Sequence, residues 1–145
     1  MMRDPQKTIG SLIDSQKVAF IGAVDEEGYP AVKCMLTPRA REGIRVIWFS
    51  TNTSSHHVTQ YRANPKASVY VADRRFYRGV LLTGTMEISE EPEDKERLWQ
   101  PGDTMYYPQG VTDPDYCVMK FTARAGRYYS NMQSQDFAIE QECIP

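Results

Sequence analysis

The stretch from Lys17 to Thr37 constrains the fold more than any other part of the chain. Val18-Ala19-Phe20-Ile21-Gly22-Ala23-Val24 is its longest apolar run. It has the length of a buried strand and falls far short of the ~20 residues that a membrane-spanning helix needs. Asp25-Glu26-Glu27-Gly28 is a turn, and Tyr29 to Thr37 reads as a second strand. Together these segments predict a β-hairpin.

Further strands are expected over 44–50, 66–73, 78–89, 116–123 and 126–130, separated by turn and loop residues. Pro38 to Gly43 reads as a polar loop. Asp4-Pro5 opens a short amphipathic helix over about 5–15, because Asp caps free N–H groups and Pro at the first helical position loses no bond. A second helix is expected from about 54 to 63, stopped before Asn64-Pro65. Glu91-Pro92-Glu93-Asp94 opens a third, ending at Trp99. The segment 100–115 is a loop carrying Pro101, Gly102, Pro108, Gly110 and Pro114, and 131–145 is expected to be a loosely held tail. Hairpin-linked strands with a helix inserted after the third predict a mainly β fold, a small antiparallel barrel with two or three peripheral helices.

Length and composition bound the function. The 145 residues fit one domain, which buries roughly 70% of the surface its unfolded chain exposes. Net charge is −2, with Lys and Arg scattered, and this excludes the basic footprint of a nucleic-acid protein. Cys34, Cys117 and Cys143 are far apart, and His56 and His57 are the two histidines. Neither a C-x-x-C nor another local ligand motif exists, so a structural zinc site is not expected. Free thiols and an N-terminus without a signal-like apolar region predict a cytoplasmic protein.

Three segments are candidates for chemistry. Ser50 to His57 runs from a strand through a cap-rich turn into a helix start, where unpartnered N–H groups and the helix dipole favour an anion. Thr51, Thr53, Ser54 and Ser55 supply hydroxyls there, and His56 and His57 can add positive charge. The alternative is that Thr53 or Ser54 simply caps the helix while the histidines face solvent. On the second strand, alternation places Ala31, Lys33 and Met35 on one face and Val32, Cys34 and Leu36 on the other. Lys33 serves either a ligand or a solvated barrel rim. Aromatic clusters at Met105-Tyr106-Tyr107 and Tyr128-Tyr129 cover either a planar ligand, a subunit interface, or nothing beyond the core beneath them.

Three series of residues carry a resemblance. They are Gly28-Tyr29-Pro30-x-x-Lys33-x-Met35, then Trp48 to His57, then Asn64-Pro65-Lys66-Ala67-Ser68-Val69. Leu82 to Glu87, Trp99-x-x-Gly102-Asp103 and Tyr107 to Tyr116 extend it. The chain resembles the pyridoxamine 5′-phosphate oxidase-like family over roughly 17–130, in particular its general-stress-protein-like and nitroimidazole-reductase-like branches. The resemblance implies an FMN-binding split β-barrel, Greek-key-like, as one domain over 1–145. It also implies a homodimer with the flavin cleft at the subunit interface. Carried over by position, Lys33, Cys34 and Met35 line the flavin, Ser50 and Thr51 contact its ring or ribityl chain, and Ser55, His56 and His57 hold its phosphate, with Ser54 beside them as a further cofactor-binding candidate. Trp99, Tyr106 and Tyr129 are further cofactor-binding candidates, and no residue is assigned as catalytic.

Two departures bear on chemistry. The family commonly carries Arg or Lys where this chain has His56 and His57, so a phosphate gains full charge there only from an imidazolium. If one of them binds as imidazolium, affinity falls as pH rises past its pKa. The Arg-x-His segment with which the oxidases grip the vitamin phosphate is missing after Gly126, and Gly79 stands where they place a glutamine. The resemblance then implies an FMN-dependent oxidoreductase acting on a small electrophile rather than a vitamin B6 oxidase. The alternatives are a flavin-binding stress or sensor protein without a substrate, and the same fold holding haem or a deazaflavin.

Overall fold

A computed structural model describes residues 4–139 of the chain. Three helices, α1 (Pro5–Ser15), α2 (His56–Ala63) and α3 (Pro92–Leu98), accompany eight strands. The strands are β1 (Val18–Val24), β2 (Pro30–Leu36), β3 (Ala40–Glu42), β4 (Val46–Asn52), β5 (Lys66–Asp73), β6 (Arg78–Ser89), β7 (Tyr116–Ser130) and β8 (Gln133–Ala138). All pairings are antiparallel, in the order β2-β1-β5-β6-β7-β4-β3, with β8 added to β7. The curved sheet does not close on itself: β2 and β3 stand at its two ends, which makes a split barrel.

The barrel interior is filled by alternate residues of the strands, among them Ile21, Ile47, Phe49, Val69, Leu82 and Phe121. Helix α1 buries Ile9, Leu12 and Ile13 in the same core. Its start follows the sequence pattern: Asp4 accepts bonds from the Gln6 and Lys7 amides at 3.1 and 3.4 Å, and Pro5 takes the first helical position. A smaller aromatic cluster of Val46, Trp48, Leu98, Tyr107, Tyr116 and Val118 lies on the other side of β4 and β7.

Three expectations are corrected. Residues 116–130 form one strand rather than two, and the irregularity between them is a bulge opposite Thr83 and Gly84, where Arg124 is left out of the pairing. Gly84 allows the close approach there, since a Cβ would collide with the Thr122 carbonyl oxygen. The loop over 38–43 contains the short β3, paired to β4, and its polar residues reflect an edge rather than a lack of structure. Within the expected tail, Gln133–Ala138 pairs with β7; its alternation is nearly all polar because the strand is largely exposed. Residues 140–145, including Cys143, lie outside the described residues.

Candidate functional site

Strand β2 is an edge strand, and its side chains are exposed or half-buried on both faces. Across from it, β4 runs out through Ser50 and Thr51 into the turn Thr53–Ser55 and then α2. Two adjoining cavities lie between these elements. The first, about 400 Å³, is walled by Ala31, Lys33, Ser54, Ser55, His56 and His57. The second, about 250 Å³, is walled by Cys34, Met35, Arg39, Ser50, Thr51 and Tyr106. Lys33 and Ser55 border both, so the two cavities form one continuous cleft.

The polar groups of the turn divide into two sets. Thr53 points its hydroxyl at the Pro114 carbonyl and the Asp115 carboxylate, both at 3.0 Å, and the Ser54 amide donates to the same carboxylate at 2.9 Å. The bonds from Ser54 and Thr53 hold the Asp115 carboxyl below the ordinary carboxylate range. Asp115 thus fixes the turn from behind, and neither Thr53 nor Ser54 caps the helix. The N-cap is Ser55, whose side chain makes no capping bond. Its hydroxyl and the first α2 amides are left facing the cleft, with the positive end of an eight-residue helix behind them.

The two histidines are unlike. His56 is exposed on the cleft wall. His57 is buried, with Nε2 2.7 Å from the Thr51 hydroxyl. Burial, with the nearby positive Lys33 and His56, brings the His57 pKa down to about 4. His57 is therefore neutral near pH 7 and contributes a hydrogen-bonding imidazole, not a charge. The cation of the cleft is Lys33, which makes no ion pair among the described residues. Arg39 borders the second cavity, but a bidentate pair with Asp103, at 2.9 and 3.0 Å, occupies its guanidinium.

The inner wall carries a further polar atom. The Ser50 hydroxyl is buried with no hydrogen bond of good geometry among the described residues; its neighbour is the Tyr116 hydroxyl, which donates to the Lys95 carbonyl at 2.9 Å. A buried orphan of this kind costs stability unless something meets it. The Tyr61 hydroxyl donates to the Gly22 carbonyl at 2.8 Å, which pins α2 to β1, and burial pushes its pKa up. Cys34 is exposed at the cleft, whereas burial pushes the Cys117 thiol up to about 12 and leaves it inert. Among the described residues no group of histidine, cysteine and acidic side chains is placed to hold a metal.

The sequence profile of the family described as pyridoxamine 5′-phosphate oxidase matches residues 6–130. The chain belongs to the pyridoxamine 5′-phosphate oxidase family. A solved Clostridium acetobutylicum protein, related to general stress protein 26 of Bacillus subtilis, is 35% identical and superposes with a TM-score of 0.87 over 96% of this chain and 97% of that one. A NimC/NimA family protein from Clostridium acetobutylicum is 19% identical, with a TM-score of 0.70 and 92% of each chain covered. A heme-binding protein from Mycobacterium smegmatis is 15% identical, with a TM-score of 0.74 over 95% of this chain and 59% of that one. The latter two likenesses concern the fold alone. No curated protein matches the chain.

Of the residues that the family resemblance marks, Lys33, Cys34, Met35, Ser50, Thr51, Ser54, Ser55, His56, His57 and Tyr106 meet in the one cleft. Trp99 does not reach it: its ring packs against Tyr116 and Tyr107 at 5.2 and 6.2 Å, behind the cleft wall. Tyr129 lines a separate cavity at the β5–β6 hairpin. The sequence reading missed Arg39, Asn52, Gln60 and Tyr61 as cleft residues, and offered Tyr107 only as one of a loop aromatic cluster, with a planar ligand among the alternatives for what it covers. Asn52 and Tyr107 are joined by a 2.7 Å hydrogen bond between residues 55 positions apart, a contact without a local signature.

Proposed function

We propose that the cleft binds FMN and that the protein is a flavin-dependent oxidoreductase acting on a small electrophile. The observation that supports this most directly is a set of open polar groups, at Lys33, Ser50, Ser55 and the start of α2, along one continuous cleft. Ser55, the α2 amides, Lys33 and a neutral His57 suit the phosphate end. Ser50 meets a polar atom of the ring or ribityl chain, and Cys34 and Met35 flank the ring. Bound there, the flavin supplies reversible hydride and electron transfer, while the protein contributes orientation and exclusion of water. Vitamin B6 oxidation is not proposed, because Gly79 and the segment after Gly126 lack the oxidases' substrate-gripping side chains.

The reading includes a homodimer. Val32, Leu36, Val18, Phe20, Tyr70 and Leu81 form an exposed apolar band running across β2, β1, β5 and β6. Val32 and Leu36, at 73% and 63% exposed, also border the cavities. A second copy seated on this band covers the apolar face and closes the cleft in one step. Haem is the less favoured occupant, because an iron taking His57 Nε2 displaces the 2.7 Å bond to Thr51.

Purified protein is loaded with FMN, freed of excess and scanned in the visible range. Retained flavin bands that disappear in Ser55→Ala/Lys33→Ala support the cofactor reading; a Soret band after incubation with haem, and no retained flavin, overturns it. Reoxidation of the reduced protein by small electrophiles such as nitroaromatics then tests turnover. Phe20→Asp is expected to give monomers that lose FMN, and sedimentation velocity reads the change.

A further inference from the structure

A further cavity, of about 390 Å³, opens beyond the Ser55 end of the cleft, between the β1–β2 turn and α2. Its size lies in the range of small-molecule sites. His56 and Gln60 wall both this cavity and the first cavity of the cleft, so the two spaces are contiguous. Asp25 and Glu26 of the turn form one side, and Thr59, Gln60, Ala63 and Asn64 form the other. Residues 56, 59, 60 and 63 recur at helical spacing and so share one face of α2.

Both sides are held in place. The Asp25 carboxylate accepts from the Glu27 and Tyr29 amides at 2.9 and 2.8 Å, which fixes the turn. The Tyr61 hydroxyl, bonded to the Gly22 carbonyl at 2.8 Å, sets the distance of α2 from β1. Between these fixed sides the polar groups stay open. Asp25 spends one carboxylate oxygen on the turn, and Asn64 spends its side-chain carbonyl on the Lys66 amide at 3.1 Å. The other Asp25 oxygen, the Asn64 NH2 group and the side chains of Glu26, Thr59 and Gln60 make no hydrogen bond among the described residues.

The set has a definite chemistry. Carboxylates accept from the hydroxyls of a ribose. Side-chain amides pair with the edge of an adenine, which offers a donor and an acceptor side by side. Val24 and Ala63 supply apolar contact for the face of the base. A free phosphate suits this cavity poorly, because two carboxylates face it, whereas an uncharged nucleoside matches each group.

We propose that the cavity between the β1–β2 turn and α2 is a binding site for an adenosine group. Two sources carry that group: the distal half of FAD, whose diphosphate passes His56 and Gln60, or a free nucleoside beside a bound mononucleotide. The first source rests on the flavin reading above; the site itself does not.

Equilibrium dialysis separates these. The full-length protein stripped of flavin is titrated with FMN, FAD and adenosine, and the FMN-loaded protein with adenosine. FAD binding at least fivefold tighter than FMN is expected and assigns the group to FAD. Saturable adenosine binding to the FMN-loaded protein, with FAD no tighter than FMN, assigns it to a free nucleoside. In either case Ala63→Trp, which fills the cavity, weakens the adenosine-bearing ligand about tenfold, and Glu26→Ala weakens it less. Neither variant changes FMN affinity more than twofold, and 2′-deoxyadenosine binds more weakly than adenosine. FAD no tighter than FMN together with no saturable adenosine binding overturns the proposal, and so does unchanged binding in both variants. Adenosine bound by a protein that takes neither flavin overturns the flavin reading alone.

Discussion

The two walls of the cleft are built from similar polar residues, yet they treat them in opposite ways. On the Arg39–Tyr107 side almost every polar group is committed. Asp103 takes both arms of Arg39 and the Gln100 amide, Tyr107 donates to Asn52, Tyr116 donates to the Lys95 carbonyl, and the buried Lys95 ammonium donates to the Asp113 carbonyl. On the Lys33–Ser55 side, beside the Thr51–His57 and Ser54–Asp115 contacts, several groups stay open: among the described residues Lys33 has no ion pair, the Ser55 side chain makes no capping bond and the Ser50 hydroxyl has no hydrogen bond of good geometry. Burying polar groups is costly unless they are matched, so open ones clustered along a cleft mark where a ligand completes the set, and closed ones mark scaffold. Residue type alone does not separate the two walls. Commitment does.

The comparison breaks first at Asp103. Both side chains of the Arg39–Asp103 pair are largely buried, at 14% and 6% exposed. Asp103→Ala strands a buried guanidinium and is expected to cost about 3–5 kcal/mol of stability. Urea denaturation at neutral pH checks this, and a loss under 1 kcal/mol would place Arg39 with the open groups.

His57 gives the next largest effect. Its folded pKa of about 4 lies below the ordinary 6.5 of an unfolded histidine. Between these values the unfolded chain binds a proton that the folded one refuses, so its share of stability is full above about pH 6.5 and is lost as pH falls toward 4. The expected loss is on the order of 2 kcal/mol, and a His57→Gln variant flattens that part of the profile in denaturation series at pH 7, 6, 5 and 4. Because His57 is neutral throughout, FMN affinity is expected not to fall between pH 6 and 8 by equilibrium dialysis, the phosphate itself gaining charge over the lower part of that range. A fall through that range would assign the binding charge to an imidazolium, at His56 or His57.

The same division explains what could be read from the chain beforehand. Strands β1, β2, β5 and β6 and the start of α1 were legible because their signals are local: an apolar run, a Gly-containing turn, an Asp-Pro cap. The turn into α2 was legible for the same reason, since a strand followed by five cap-type residues leads into a helix start from short-range geometry alone. The unity of β7 was not, because Ala123-Arg124-Ala125 reads as a break until β6 supplies the partner across a bulge. Nor was the role of Thr53, whose hydroxyl is claimed by Asp115, 62 residues away. The fate of Trp99 and Tyr129 was equally hidden, because an aromatic residue carries no sequence mark of which side of a wall it will pack on.

Two substitutions sharpen the contrast at smaller scale. Lys33→Ala removes the open cation and is expected to leave stability within about 0.5 kcal/mol, as for an exposed surface position. It should lower FMN affinity at least tenfold, the scale of a charge-assisted hydrogen bond to phosphate. Tyr107→Phe does the reverse. It deletes the hydroxyl that donates to Asn52 at 2.7 Å and leaves the ring among Trp99, Tyr106 and Tyr116. Asn52 is exposed and recovers water as a donor, so the cost is expected at about 1 kcal/mol, the net worth of one ordinary hydrogen bond. FMN affinity should stay within twofold. Denaturation and dialysis on the two variants then move in opposite columns, and equal shifts in both measurements for either variant would mean that the two walls act as one unit.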